Sequence, residues 1–245
     1  MSLNNGRDYL VFDFETTGKN PYGCQLTQIS ALVLHGKKLT VQPGGVFDIE
    51  VKPEFDDEKA IAAGFDPVEQ EALDKTRKTR EQLEKAVGPK VAWKQFSDFV
   101  NKFNIKGSQY FAPIPVGYNI VNYDLPIVQR YCKLFGPADA KTNKQKLLHQ
   151  IYKVDMMDVL FSWFEDEDTV QKLNMDYLRE YFGFPQKSKD NAHNALYDVI
   201  DTANIFVRFM KYHRRHATNT KFEKSFANIE MPIKYEELIN ESIAG

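Results

Sequence analysis

The segment Val11-Phe12-Asp13-Phe14-Glu15-Thr16-Thr17-Gly18 sets two carboxylates two residues apart at the end of an apolar run. Strand side chains alternate between faces, so Asp13 and Glu15 point one way while Phe12 and Phe14 point the other. Two acids converging at a strand end can hold a divalent cation through oxygen ligands. The plainer reading is a solvated strand end, since an Asp-x-Glu triplet arises by chance about once in a chain of this length. Context favours the cation. The preceding residues Tyr9, Leu10, Val11 and Phe12 read as a buried central strand. Charges at the end of such a strand are costly unless something pairs them.

Two further acidic segments lie far along the chain. The run from Ile114 through Gly117-Tyr118-Asn119 to Tyr123-Asp124-Leu125-Pro126 reads as strand, turn and helix start. Asp124 then falls in the first turn of a helix, where an acid is also a common cap or dipole partner. The segment Asn191-Ala192-His193-Asn194-Ala195-Leu196-Tyr197-Asp198 opens the last strong helix. On a continuous helix, His193 and Asp198 would be rotated by about 140° from each other. They can face one ion only if His193 sits at or before the first turn, on less regular backbone. Taken singly, His193 also reads as an ordinary helix-start residue and Asp198 as an exposed helix carboxylate.

The elements that must position these residues follow from hydrophobic period and turn signals. Strands are expected over 8–15, 26–34 and 46–52, the third entered from a turn at Pro43-Gly44-Gly45. Short polar connections make these three an antiparallel meander. Residues 56–90 are charged and mostly helical, with interruptions at Gly64, Pro67, Gly88 and Pro89. Helices are expected over 91–104, 124–135, 157–164, 173–182 and 192–212, with short strands at 114–117 and 152–155. Strands first, then alternating strands and helices, give an α/β fold. Its mixed five-stranded sheet is an antiparallel meander followed by parallel strands, flanked by helices. In such sheets the site lies at the carboxyl ends of the central strands, where Asp13 and Glu15 stand. The expected division is a main domain over 1–212 and a C-terminal extension over 213–245, with a short amphipathic helix from Tyr235 to Ile243.

Composition bounds the function. The formal net charge of −2 does not announce a polyanionic partner, so any basic surface must be local. Local clusters occur at Lys141 to Lys146, at Lys187 with Lys189, and from Lys211 to His216. Cys24 and Cys132 make neither a metal spacing nor a disulfide framework, which suits a reducing, cytoplasmic compartment. No stretch has the apolar length of a membrane span, so no membrane partner is expected.

Taken together, Asp13, Glu15, Asp124, His193 and Asp198 stand in the order and local contexts of one family. The chain resembles the DnaQ-like (DEDDh) 3′→5′ exonucleases, whose fold is RNase H-like. Asp13-Phe14-Glu15-Thr16-Thr17-Gly18 matches the first family motif, and Gly117-Tyr118-Asn119 through Tyr123-Asp124 resembles the second. His193-x-Ala195-x-x-Asp198 matches the third, in its histidine form. The stretch Leu173 to Leu178 with Gly183, and Asp155 before it, also fit the family, so the resemblance covers residues 8–210. Gln28 stands where many members carry glutamate, Tyr118 replaces a frequent histidine, and residues 53–90 match loosely.

The resemblance implies a two-ion phosphodiester hydrolase that uses Mg²⁺, with Mn²⁺ able to substitute. It implies that Asp13 bridges both ions, and that Glu15 and Asp198 hold the one carrying the nucleophilic water. Asp124 would support the second ion through water, and His193 would serve as general base. Backbone near Thr16 and Thr17 would position the terminal 3′-OH, with Asn119 in its family place. Without metal, the clustered acids are expected to raise one another's pKa. Of the aromatic residues near the motifs, Phe14 reads as core and Tyr22, in a Gly/Pro loop, as the better base-stacking candidate; Tyr118 and Tyr123 are others.

The implied substrate is the 3′ end of a single strand, DNA ahead of RNA, cut to nucleoside 5′-monophosphates as in proofreading or repair. Two alternatives stay open: an exoribonuclease or oligoribonuclease, and a non-catalytic module that binds nucleic acid or a polymerase. The second has no need of four clustered acids. Residues 213–245 could pack on the domain or dock a partner such as a DNA polymerase.

Overall fold

The computed structural model describes residues 6–185 and 194–220. The chain divides into two compact units, Met1–Ile205 and Phe206–Gly245. The five strands among the described residues lie in the first unit. Strands β1 (Tyr9–Thr16), β2 (Leu26–Leu34), β3 (Val41–Glu50), β4 (Ile114–Gly117) and β5 (Val154–Asp155) form one sheet in the order β3-β2-β1-β4-β5. β1 pairs antiparallel with β2, and β2 with β3, while β4 runs parallel to both β1 and β5. This is the expected mixed sheet, with the acid-bearing strand at its centre.

β1 is central because its first four residues and Phe14 are apolar and can be covered on both faces. Tyr9 to Phe12 and Phe14 are buried, and only Asp13 and Glu15 are partly exposed. Phe14 packs edge-on against Trp93 (ring centroids 6.4 Å apart) and Phe96 (6.0 Å) of helix α4 (Pro89–Asn101). Trp93, Phe96, Phe99 and Val100 are spaced at helical period and bury one face of α4. Burying each large side chain contributes roughly 1.5–3 kcal/mol. The indole N–H of Trp93 donates to the Gly136 carbonyl at 2.7 Å, so the ring is buried without an orphaned donor. This aromatic layer takes the side of β1 opposite to Asp13 and Glu15, and it clamps the strand that carries them.

β3 departs from expectation. It begins at Val41, five residues before the expected strand, and runs through Pro43-Gly44-Gly45 rather than starting after it. β3 lies at the sheet edge, where proline needs no ladder partner for its missing N–H. The pairing shifts register between Leu32 and Leu34, and Gly44 takes a φ of 66°, so an irregular stretch of edge strand replaces the turn. Gly45 fits there because a Cβ would stand 2.8 Å from the Gln42 carbonyl oxygen.

Between β3 and α4 lie three short helices: α1 (Asp57–Ala62), α2 (Gln70–Thr76) and α3 (Arg80–Leu83). They are held apart by Gly64 (φ 81°) and by Arg77, which ends α2 in the left-handed region (φ 55°). Asp56 caps α1 by accepting from the Lys59 N–H at 3.0 Å. Buried Lys78 pairs with Glu50 at 3.1 Å, fastening this helical stretch to the end of β3. The remaining helices among the described residues are α5 (Asp124–Phe135), α6 (Met156–Phe164), α7 (Met175–Tyr181) and α8 (Ala195–Thr220). None in the described residues is long and apolar enough to cross a membrane. The expected helix from Tyr235 to Ile243 lies outside the described residues.

Candidate active site

The strand alternation in β1 brings Asp13 and Glu15 to one face, and the first turn of α8 brings Asp198 to the same place. One carboxylate oxygen of each lies within 4.8 Å of the others, and all three side chains are half-buried. Asn194 starts α8. Its side-chain oxygen accepts from the Leu196 N–H at 3.0 Å, and its carbonyl accepts from Tyr197 (2.9 Å) and Asp198 (3.2 Å). Gln28, opposite Glu15 in the β1–β2 pairing, donates to the Asn194 side chain at 3.5 Å and to Asp48 at 2.7 Å. The glutamine at this position therefore ties the start of α8 to the sheet.

Asp124 lines the same cleft but stands outside the tight triad. It opens α5, is 2% exposed, and accepts from the Phe14 N–H at 3.1 Å. The acid thus pins the end of β1 as well as facing the cleft. Burial pushes its carboxyl well above the usual carboxylate range, and the charges of Glu15 and Asp155 add to the rise. Backbone N–H bonds act in the opposite direction. Mutual repulsion is therefore the smaller cause at Asp124; desolvation leads.

Asp155, capping α6 at the end of β5, shapes the far wall. One of its oxygens accepts from the Asn119 N–H (2.8 Å) and the Met157 N–H (3.1 Å), and the other from the Val121 N–H (3.0 Å). This carboxylate holds the turn after β4 in which Asn119 takes a φ of 58° and lines the cleft. Tyr118 lines it too and donates to the Leu173 carbonyl. Burial, with the Asp155 charge, pushes the Tyr118 phenol up to about 12. Tyr123 donates to the Gly18 carbonyl at 2.6 Å and lies 2.5 Å from the Thr16 hydroxyl. The turn after β1 is thereby locked to the start of α5.

Not every expected site residue reaches the cleft. Thr16 does, but Thr17 is fully buried: its N–H donates to the Gln25 carbonyl at 2.9 Å, and its hydroxyl accepts from the Gln25 N–H at 2.9 Å. Tyr22 is 73% exposed and is not among the cleft-lining residues. His193 lies outside the described residues, as do Lys187 and Lys189. The α2 side of the cleft, formed by Glu71, Ala72, Lys75 and Thr76, was not expected from the sequence. Nothing in that charged stretch marks it beyond its place between β3 and α4.

The three-carboxylate set fits a hard divalent ion. All donors are oxygen, they converge, and the cleft is open enough for an ion to keep several waters.

Comparison with known proteins agrees with this geometry. Residues 10–206 match the RNase T family model, described as exonuclease. No curated protein matches the chain by sequence. Among solved structures, cell-death related nuclease 4 (CRN-4) aligns with a TM-score of 0.61 at 17% identity, over 84% of this chain and 64% of its own. Exonuclease I of E. coli, in complex with a dT13 oligonucleotide, aligns at 0.63 and 18% identity, over 92% of this chain and 47% of its own. Exonuclease I of Methylocaldum szegediense gives 0.61 and 17%, with 91% and 43% covered. The chain thus spans less than two thirds of CRN-4 and less than half of either exonuclease I. At such identities the likeness is one of fold.

Proposed function

The chain belongs to the RNase T exonuclease family, and from that premise we propose that it removes nucleotides from the 3′ end of single-stranded DNA, releasing nucleoside 5′-monophosphates. The observation that carries this reading is the convergence of Asp13, Glu15 and Asp198 within 4.8 Å. Asp13, Glu15 and Asp198, with Asp124 beside them in the cleft, would hold Mg²⁺, or Mn²⁺ in its place. Bound there, divalent ions supply charge neutralisation at the phosphate and activation of water.

The chain's own groups do the rest. His193 takes the proton from the attacking water as general base. Water adds at phosphorus, the P–O3′ bond breaks, and the departing O3′ takes up a proton from solvent, leaving the shortened strand with a 3′-hydroxyl. Asn119 and the turn at Thr16 would hold the terminal nucleotide, a turn whose shape Tyr123 fixes; Thr17 supports that turn from within. Tyr118 stays a neutral phenol well above physiological pH and keeps its hydrogen bond to Leu173.

Residues 1–212 would form the catalytic domain, with 213–245 packing on it or docking a partner such as a DNA polymerase. The buried, unpaired thiols of Cys24 and Cys132 suit a reducing, cytoplasmic setting. The preference for DNA draws on the oligonucleotide complex of the exonuclease I fold relative. Incubation with 5′-labelled single-stranded DNA and RNA of equal sequence, with Mg²⁺, Mn²⁺ or chelator, tests the proposal. A metal-dependent ladder of 3′-shortened DNA is expected. A ladder on RNA alone would reassign the substrate, and no shortening of either polymer would end the exonuclease reading.

A further inference from the structure

We propose that Lys75 is a phosphate-contacting residue that leads the nucleic-acid strand along α2 into the acidic cleft, an inference that rests on the nuclease reading of that cleft. Glu71, Ala72, Lys75 and Thr76 line the cleft, a spacing that presents one face of the short helix to it. The other charged groups lining the cleft are the acids Asp13, Glu15, Asp124, Asp198 and Glu71, and Lys19. A polyanion meets repulsion from such a wall unless cations intervene.

The two lysines differ. Lys19 is paired with Glu71 at 3.0 Å, both side chains being highly exposed. Glu71 lies one helical turn before Lys75 and is the partner such a lysine would ordinarily take. With Glu71 engaged by Lys19, Lys75 is exposed and, among the described residues, makes no ion pair, the one lining cation of the cleft in that state. The Thr76 hydroxyl donates to the Ala72 carbonyl at 3.0 Å, so it spends its proton within the helix. Lys75 alone on this face offers uncommitted donors to a phosphate.

A lysine in the last turn of a helix also complements its dipole. That role affects stability, whereas a phosphate contact affects substrate capture and its salt dependence. Steady-state cleavage of a short 5′-labelled oligothymidylate or oligouridylate, whichever the wild type shortens, separates the two. Lys75→Ala is expected to raise KM by about tenfold, with kcat changed by less than about twofold. The slope of log(kcat/KM) against log[salt] should flatten by about 0.7, the value for one contact to a single strand. Lys75→Arg should keep the wild-type slope. Lys94→Ala, on α4 and paired with Asp98, should change nothing.

Wild-type KM and slope in Lys75→Ala overturn the inference, and a lowered melting temperature with unchanged KM assigns Lys75 to the helix instead. Both outcomes leave the exonuclease reading standing. A wild-type protein that cleaves neither oligonucleotide overturns that reading and this inference with it.

Discussion

Three carboxylate oxygens within 4.8 Å of one another repel unless a cation lies between them. On the proposed reading, the triad serves to bind a divalent ion. Replacing Asp198 by Asn should lower metal-dependent cleavage by about a thousandfold or more, roughly 4 kcal/mol in the barrier. In chelator the same variant should melt no lower than wild type, and Mn²⁺ should raise the melting temperature of wild type alone. Near-normal cleavage by the variant would remove Asp198 from the site. Asp13 and Glu15 were legible in the sequence because strand alternation is strict and the run before them is apolar. Asp198 needed its family context, since nothing local separates it from the neighbouring helix acid Asp201. The unusual state of Asp124 was legible only in part. Sequence alone suggests repulsion among acids, whereas its dominant burial comes from packing at the start of α5. Lys75 was not legible, because its meaning depends on which partner Glu71 takes.

At the scale of elements, the cleft is held by short polar ties between strand ends and helix starts. Asp155 is the most heavily used, with three backbone N–H groups on one buried carboxylate. Asp155→Ala orphans those donors and should cost about 1–3 kcal/mol, seen as a lower urea midpoint. Cleavage should fall as well, because the Asn119 turn loses its anchor. A variant with unchanged midpoint and unchanged activity would show that the turn holds its shape unaided. Most elements could be read from period and punctuation: β2, β4 and α5 fall where expected. β3 could not, because Pro-Gly-Gly signals a turn by its local chemistry. Its place at the sheet edge, which makes that chemistry tolerable, is a tertiary fact.

Across the whole molecule, burial of acidic protons sets an alkaline limit. Burial pushes the Cys132 thiol from its ordinary 9.0 up to about 12, and the Tyr118 phenol from 10.0 up to about 12. The Cys24 thiol and the Tyr123 and Tyr131 phenols shift in the same direction, also led by burial. The folded chain keeps protons that the unfolded chain releases, so this stability is whole below about pH 9 and drains away toward about pH 12. The melting temperature should fall steadily as pH rises from about 9 to 11, and less steeply in Cys132→Ala. A flat profile over that range would contradict the burial of these groups. The central claim, that remote parts of the chain meet to bind a divalent ion, is tested most directly by crystals grown in Mn²⁺ and measured at the manganese absorption edge. Anomalous density is expected between Asp13, Glu15 and Asp198; a map from saturated crystals with no peak in contact with Asp13 would contradict it.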